Sequence, residues 1–102
     1  MQEHCVRVTF DLGAPGFGEA AKRDAIHAFT DLLATAVEAA EVGEFDGDEF
    51  GAGECSLFMY GPDADRLFAV VHPLLAAWPV ARGGVAIRRY GPPGAPERRV
   101  TF

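Results

Sequence analysis

The stretch ECSLFMYGPDADRLF, Glu54 to Phe68, decides the fold because its periodicity changes partway along. Up to Tyr60 the side chains alternate with a period of two, which is typical of a β-strand. One face of this strand carries Cys55, Leu57 and Met59, and the other carries Ser56, Phe58 and Tyr60. Pro62 then suits a first helical turn, and Asp63 and Asp65 place negative charge at the positive end of a helix dipole. The stretch therefore predicts a strand that leads into a helix.

Upstream lie another strand and another helix. HCVRVTFDL, His4 to Leu12, alternates with its valines and Phe10 on one face, and this predicts the first strand. From Glu19 to about Ala40 the apolar residues recur at intervals of three and four among many alanines, which predicts a long amphipathic helix.

Downstream, the second helix contains Pro73, which removes a backbone hydrogen bond. We expect either a kink there or an early end of the helix. GGVAIRRY, Gly83 to Tyr90, predicts a fourth strand, and ERRVTF, Glu97 to Phe102, predicts a short edge strand.

The acidic stretch GEFDGDEFG, Gly43 to Gly51, predicts the second strand. Phe45 and Phe50 are five apart and would face opposite sides of a regular strand. A bulge at Asp46-Gly47 puts both on one side, with glycine supplying a positive φ. Asp-Gly is also a two-residue hairpin signal. We favour the bulge, with GAG, Gly51 to Gly53, as the turn.

The order βαββαβ over residues 1–102 predicts a single α+β domain of the ferredoxin-like type. We expect a four-stranded antiparallel sheet of strand order 4-1-3-2, with both helices on one face and the possibility of a short C-terminal fifth strand. The alternative is another α+β sandwich with a five-stranded sheet. In the expected register Cys5 lies near Tyr60, Arg7 near Phe58 and Thr9 near Ser56.

The face of the sheet without helices is the most suggestive surface. We expect it to carry Arg7, Phe58, Tyr60, Arg88 and Tyr90. Such a surface is exposed to solvent, covered by the C-terminal tail, or in contact with a second copy, a partner or a ligand. Exposed aromatic patches are typical of interfaces. The two cysteines fall at opposite ends and on opposite faces, so we expect no disulfide.

Composition narrows the classes of partner. The formal net charge is −6, which disfavours nucleic acid and anionic membrane as partners and suits a basic protein. No apolar run approaches 18 residues, and the N-terminus lacks the basic and apolar segments of a signal peptide. We expect a cytoplasmic protein.

The sequence lacks the residues that metal-binding, phosphate-binding and catalytic motifs require. Counted from Asp46, the calcium-loop positions five and twelve are Phe50 and Leu57, so we expect no metal site. The Gly-rich stretch of residues 13–23 lacks the lysine and the spacing of phosphate-binding loops. Phe58 and Tyr60 have the spacing of base-stacking aromatics without the accompanying basic consensus. We find no catalytic constellation and expect no cofactor.

Acidic side chains crowd the end of the first helix and the second strand, an edge of the expected sheet. Within it Asp46, Asp48 and Glu49 are the candidate docking charges, since an acidic edge steers association with a basic protein. A plain solvated surface is the alternative. With Phe58, Tyr60 and Tyr90 as the sheet patch, the sequence favours a non-enzymatic protein-interaction domain and possible homodimer. The other hypothesis is a dimeric enzyme or small-ligand binder with its pocket at the open sheet.

The segments GEFDGDEFG, YGPDADRLF and RRYG, between Gly43 and Gly91, together resemble a family of small uncharacterised bacterial proteins. This resemblance implies no activity and no catalytic residues. Size, charge and expected fold are similar to those of small immunity-type proteins, an analogy that favours acidic docking.

Overall fold

The computed structural model describes residues 3–13 and 19–102. The elements are, in chain order, β1 His4–Asp11, α1 Glu19–Ala39, β2 Glu44–Gly51, β3 Glu54–Gly61, α2 Ala64–Ala76, a 3₁₀ turn Pro79–Ala81, β4 Val85–Arg89 and β5 Glu97–Thr101. Most of the loop between β1 and α1, considered above as an anion site, lies outside the described residues.

The fold is α+β, with two helices and one antiparallel sheet of five strands in the order β2-β3-β1-β4-β5. The expectation of a four-stranded sheet with order 4-1-3-2 is therefore wrong in strand number and in the complete order, whereas the possible short C-terminal fifth strand is confirmed. The difference comes from the C-terminal segment, which pairs along the whole of β4, from Val85↔Thr101 to Arg89↔Glu97. The tail thus forms an edge strand and does not fold across the sheet.

The predicted register of the central strands is confirmed. β1 and β3 are antiparallel neighbours with Cys5↔Tyr60, Arg7↔Phe58 and Thr9↔Ser56 as partners. Because paired residues point to the same side of a sheet, each of these pairs lies on one face. Cys55 pairs with Phe10, so the two cysteines do lie at opposite ends and on opposite faces.

Both helices cover the other face of the sheet. The valines of β1, together with Leu57 and Met59 of β3, are fully buried against apolar side chains of α1 and α2. Trp78, after α2, stacks on Phe29 of α1 with ring centroids 3.9 Å apart. This layer arrangement leaves the opposite face of the sheet to solvent or to a partner.

β2 carries the predicted bulge. The register with β3 shifts between Phe45 and Gly47, so Asp46 is the extra residue and both phenylalanines pack against the core. Gly47 has a φ of 159°, which is positive, as expected of the bulge glycine, and nearly extended rather than left-handed. The left-handed residues are instead Ala52 (φ 52°) and Gly53 (φ 77°), which form the two-residue turn to β3.

α2 begins at an aspartate and continues past its proline. The side chain of Asp63 accepts hydrogen bonds from the backbone N–H groups of Asp65 and Arg66, as an N-cap does. The helix extends to Ala76, so of the two outcomes expected at Pro73 the early end is excluded. Neither helix, as far as residues 3–13 and 19–102 show, is long and apolar enough to cross a membrane.

Candidate functional site

The candidate site is the sheet surface opposite the helices, here called the open face. The strand registers place on it Glu44 and Glu49 of β2, Glu54, Ser56, Phe58 and Tyr60 of β3, Cys5, Arg7, Thr9 and Asp11 of β1, Val85, Ile87 and Arg89 of β4, and Glu97, Arg99 and Thr101 of β5. No helix or strand of the described part of the chain packs on this surface. Its aromatic and aliphatic side chains are nonetheless half-buried by their own neighbours.

The centre of the open face is an aromatic–arginine–aliphatic row. Phe58, Arg7 and Ile87 lie side by side on β3, β1 and β4. Arg7 is exposed, and the two apolar side chains flank it at the spacing of neighbouring strands, roughly 4.8 Å. Phe58 and Arg7 were expected on this face from the sequence, whereas Ile87 was not.

Tyr60 and Arg89 shelter a thiol in the adjoining row. Cys5 lies between them and is 3% exposed. Burial raises the pKa of the Cys5 thiol, and the charge of Arg89 only partly offsets this. Burial also raises the pKa of Tyr60. A thiol kept protonated and covered in this way is a poor nucleophile, which argues against covalent chemistry here.

A shallow groove of about 540 Å³ runs along the open face. Thr9 and Ser56 form its polar floor, with their hydroxyl oxygens 3.0 Å apart. Phe58, Ile87 and Arg99 contribute to its walls. The groove is open to solvent along its length, and it therefore offers a contact surface more readily than an enclosed chamber.

Charge is divided across the open face. On the β2 side lie Glu44 and Glu49, with the bulge residue Asp46 close enough for its charge to raise the pKa of Tyr60. On the other side lie Arg89 and Arg99, with Glu97 at the rim. One half of the surface is therefore acidic and the other half mainly basic, although the whole chain has a net charge of −6.

The structure separates the three predicted docking carboxylates. Asp46 and Glu49 belong to the open-face side of β2, whereas Asp48 pairs with Leu57 and so points toward the helices. Its carboxylate lies 3.8 Å from Nε2 of His27 on α1. The bulge causes this difference, because it reverses the alternation of side chains along β2.

The predicted placement of Arg88 and Tyr90 on the open face is wrong. Arg88 pairs with Val6, a core residue, and its guanidinium lies 4.8 Å from the centroid of the Phe68 ring. Tyr90 donates a 2.6 Å hydrogen bond to Asp65 of α2, and Arg88 donates one of 2.9 Å to the same oxygen. Tyr90 is thus a link between the end of β4 and α2, on the opposite side of the sheet from Phe58 and Tyr60.

The sheet-to-helix link borders a second depression of about 510 Å³, which Arg98 completes. The hydrogen bond from Tyr90 lowers the pKa of Asp65, and the charge of Arg88 acts in the same direction. Burial and the bond to Asp65 raise the pKa of Tyr90. The two bonds to Asp65 tie β4 to α2, while Nε of Arg88 is buried without a hydrogen-bond partner in the described part of the chain.

Metal-ligating side chains do not converge in the described part of the chain. No group of three or more histidine, cysteine or acidic residues within residues 3–13 and 19–102 has the geometry to hold an ion. Cys55 is fully buried in the core, which raises the pKa of its thiol to about 11.

Comparison of the chain with protein-family models, with curated proteins and with solved structures gives no match. Any assignment of function therefore depends on the geometry and charge of the surfaces described above.

Proposed function

We propose that this chain is a non-enzymatic protein-interaction domain, of ferredoxin-like order extended by β5, whose contact surface is the open face. The observation that carries the proposal is the row of Phe58, Arg7 and Ile87 at the centre of a sheet surface that the described helices leave free. Aromatic and arginine side chains are enriched in the cores of protein interfaces.

The distribution of charge supports a protein as the ligand. A half-acidic and half-basic surface is suited to another mixed-charge surface, whereas nucleic acid and anionic membrane both demand a uniformly basic one. The carboxylates Glu44, Asp46 and Glu49 are the part of the surface that steers a basic partner, as in the regulatory and immunity-like roles that we propose. Two buried free cysteines suit a reducing compartment, and the proposal places the domain in the cytoplasm.

The test is affinity capture with tagged chain from a lysate of the source cells, at low and at high salt. The bait is used in three forms, namely wild type, Phe58→Thr and Leu32→Glu. Threonine removes the ring but keeps β-propensity, and Leu32 is a 51% exposed apolar residue on α1, remote from the open face. The proposal expects a specific protein that wild type and L32E retain and that F58T or high salt releases. A partner retained equally by all three baits, or the absence of any specific partner including a second copy of the chain, would overturn it.

The groove favours a second candidate function, binding of a small ligand. Its volume of about 540 Å³ falls within the range of small-molecule sites, and Thr9, Ser56 and Arg99 supply polar groups. This candidate expects a small molecule to raise the melting temperature of wild type and not of a Ser56→Val variant. A metabolite screen by thermal shift distinguishes it from the protein-interaction proposal.

A further inference from the structure

We infer that the occupant of the open face is a second copy of this chain, related by a two-fold axis parallel to β1. This inference rests on the proposed function and names its partner. It follows from the position of the charges relative to the central strand, since a two-fold interface must be complementary to itself.

β1 is the middle strand of the sheet, with β3 and β2 on one side and β4 and β5 on the other. A two-fold axis along β1 therefore lays β2 of one copy over β5 of the other, and β3 over β4. Because β2 carries the carboxylates of the open face and β5 carries Arg99, this rotation brings the acidic half of each copy onto the basic half of its partner.

The rows of the sheet then match residue by residue. Phe58 of one copy faces Ile87 of the other, an apolar contact at the centre. Tyr60 faces Arg89, which is the geometry of a cation–π pair. Two face-to-face sheets normally align within about 30° of each other, so these rows stay in contact over the middle of the face.

The outer charges complete the match. Arg99 lies in the same row as Gly47, beside the bulge residue Asp46, and the two-fold rotation places Arg99 over that bulge. Within one copy β2 and β5 are four strand spacings apart, roughly 19 Å, so Asp46 and Arg99 cannot pair inside a monomer. Each such pair forms only between copies, and the symmetry makes it twice.

The other possible axis, perpendicular to the strands, fails on charge. An axis through the row of Arg7 lays β2 over β2 and β5 over β5. Asp46 then approaches Asp46, Arg99 approaches Arg99, and Glu49 approaches Glu44. Like charges placed together across an interface oppose association, which selects the axis along β1.

Three like-charge contacts remain in the selected arrangement, one of them between the two Asp11 side chains, which face each other at the end of β1. Glu44 faces Glu97 at the rim, where both are exposed and screened by water. Arg7 faces its own copy at the axis. Because Arg7→Gln removes the contact between two like charges, it should tighten the dimer, although it changes a residue at the centre of the interface.

The size of the face sets the expected affinity. Five strands at about 4.8 Å spacing and five shared residues at about 3.4 Å cover roughly 24 by 17 Å, at the small end of stable interfaces. We expect a dissociation constant on the order of micromolar, with association that weakens as salt increases.

The test is sedimentation equilibrium of the purified chain with a pair of charge variants. Asp46→Arg alone and Arg99→Asp alone should each weaken self-association on the order of tenfold or more. An equimolar mixture of the two should recover wild-type affinity, because both cross-copy pairs are then of opposite charge. R7Q should tighten the dimer several-fold, and Leu32→Glu on α1 should leave it unchanged. Circular dichroism melting curves identify any variant that fails to fold.

Three results would overturn the inference. If the chain is monomeric up to millimolar concentration while F58T still releases a captured partner, the second copy is excluded and the proposed function survives. If a dimer forms that L32E dissociates and the charge variants do not, the helices make the contact and both proposals fail. If D46R and R99D weaken the dimer and their mixture does not recover it, the two-fold arrangement along β1 is wrong.

Discussion

Tyr90 and Asp65 are joined by a 2.6 Å hydrogen bond that ties the end of β4 to the first turn of α2. This bond is the largest cause that lowers the pKa of Asp65 below its ordinary value of 3.8. Because the carboxylate is stabilised only in the folded chain, its contribution to stability is present above the ordinary pKa and is lost as the pH falls through the folded pKa.

Tyr90→Phe should therefore raise the pKa of Asp65 toward its ordinary value, and acid unfolding should begin at a higher pH. An NMR titration of the Asp65 side-chain carboxyl measures this directly. Tyr60→Phe is the matched control, since Tyr60 lies on the opposite face of the sheet and should leave Asp65 unchanged. A titration midpoint that is the same in Y90F and wild type would contradict the role given to this bond.

Gly61→Ala should destabilise the chain by about 1–3 kcal/mol, through overpacking where the end of β3 passes the residues that precede β2. A Cβ atom at Gly61 would overlap the backbone carbonyl oxygen of Val42, which cannot move away as a side chain can. Gly51→Ala is the control, because no atom lies within 4 Å of a Cβ added at Gly51. Urea unfolding of both variants checks the difference. Equal stabilities would show that the backbones approach less closely than described.

Leu33→Ala should cost about 2–5 kcal/mol, because Leu33 is fully buried between α1 and the sheet and its truncation leaves a cavity. Its neighbour Leu32 is 51% exposed, and Leu32→Ala should change stability by no more than about 0.5 kcal/mol. Chemical denaturation of the two variants tests which face of α1 packs on the sheet. A larger loss of stability in L32A than in L33A would show that the opposite face of α1 packs on the sheet.

Glu49→Lys and Asp48→Lys should differ in their effect on the association of the chain with its partner on the open face, although the two residues are adjacent. Glu49 points to the open face, whereas Asp48 points toward His27 of α1. We expect E49K to slow association and reduce its salt dependence, and D48K to leave both unchanged. Stopped-flow or surface-based kinetics at two salt concentrations measures this. An equal effect of both changes would favour a diffuse acidic edge over a defined face.

Much of the fold follows from the sequence alone, because strict alternation leaves few registers open. His4–Leu12 and Glu54–Tyr60 each have one clear apolar face, so the β1–β3 register and its two faces were predictable. The spacing of Phe45 and Phe50 likewise required a bulge. Where both faces of a strand are partly apolar, the pattern no longer decides the orientation.

β4 is the case where the orientation was missed. Val85, Ala86 and Ile87 are all apolar, so alternation cannot tell which of them faces the core. The small Ala86 lies there, opposite Val8, and the orientation of Arg88 and Tyr90 follows from it. Arg88 lies on the helix-covered side because its guanidinium stacks on Phe68 and pairs with Asp65, contacts distant in sequence. For the same reason Ile87, Arg89 and Arg99 were missed as open-face residues.

The most direct test of the open face as the contact surface is a dilution series of ¹⁵N- and methyl-labelled chain followed by NMR. We expect the chemical shifts of Phe58, Arg7 and Ile87 to change with concentration and those of the exposed residues around Leu32 on α1 to stay constant. Shifts that cluster around Leu32, or spectra that stay constant both on dilution and on addition of a captured partner, would contradict the account.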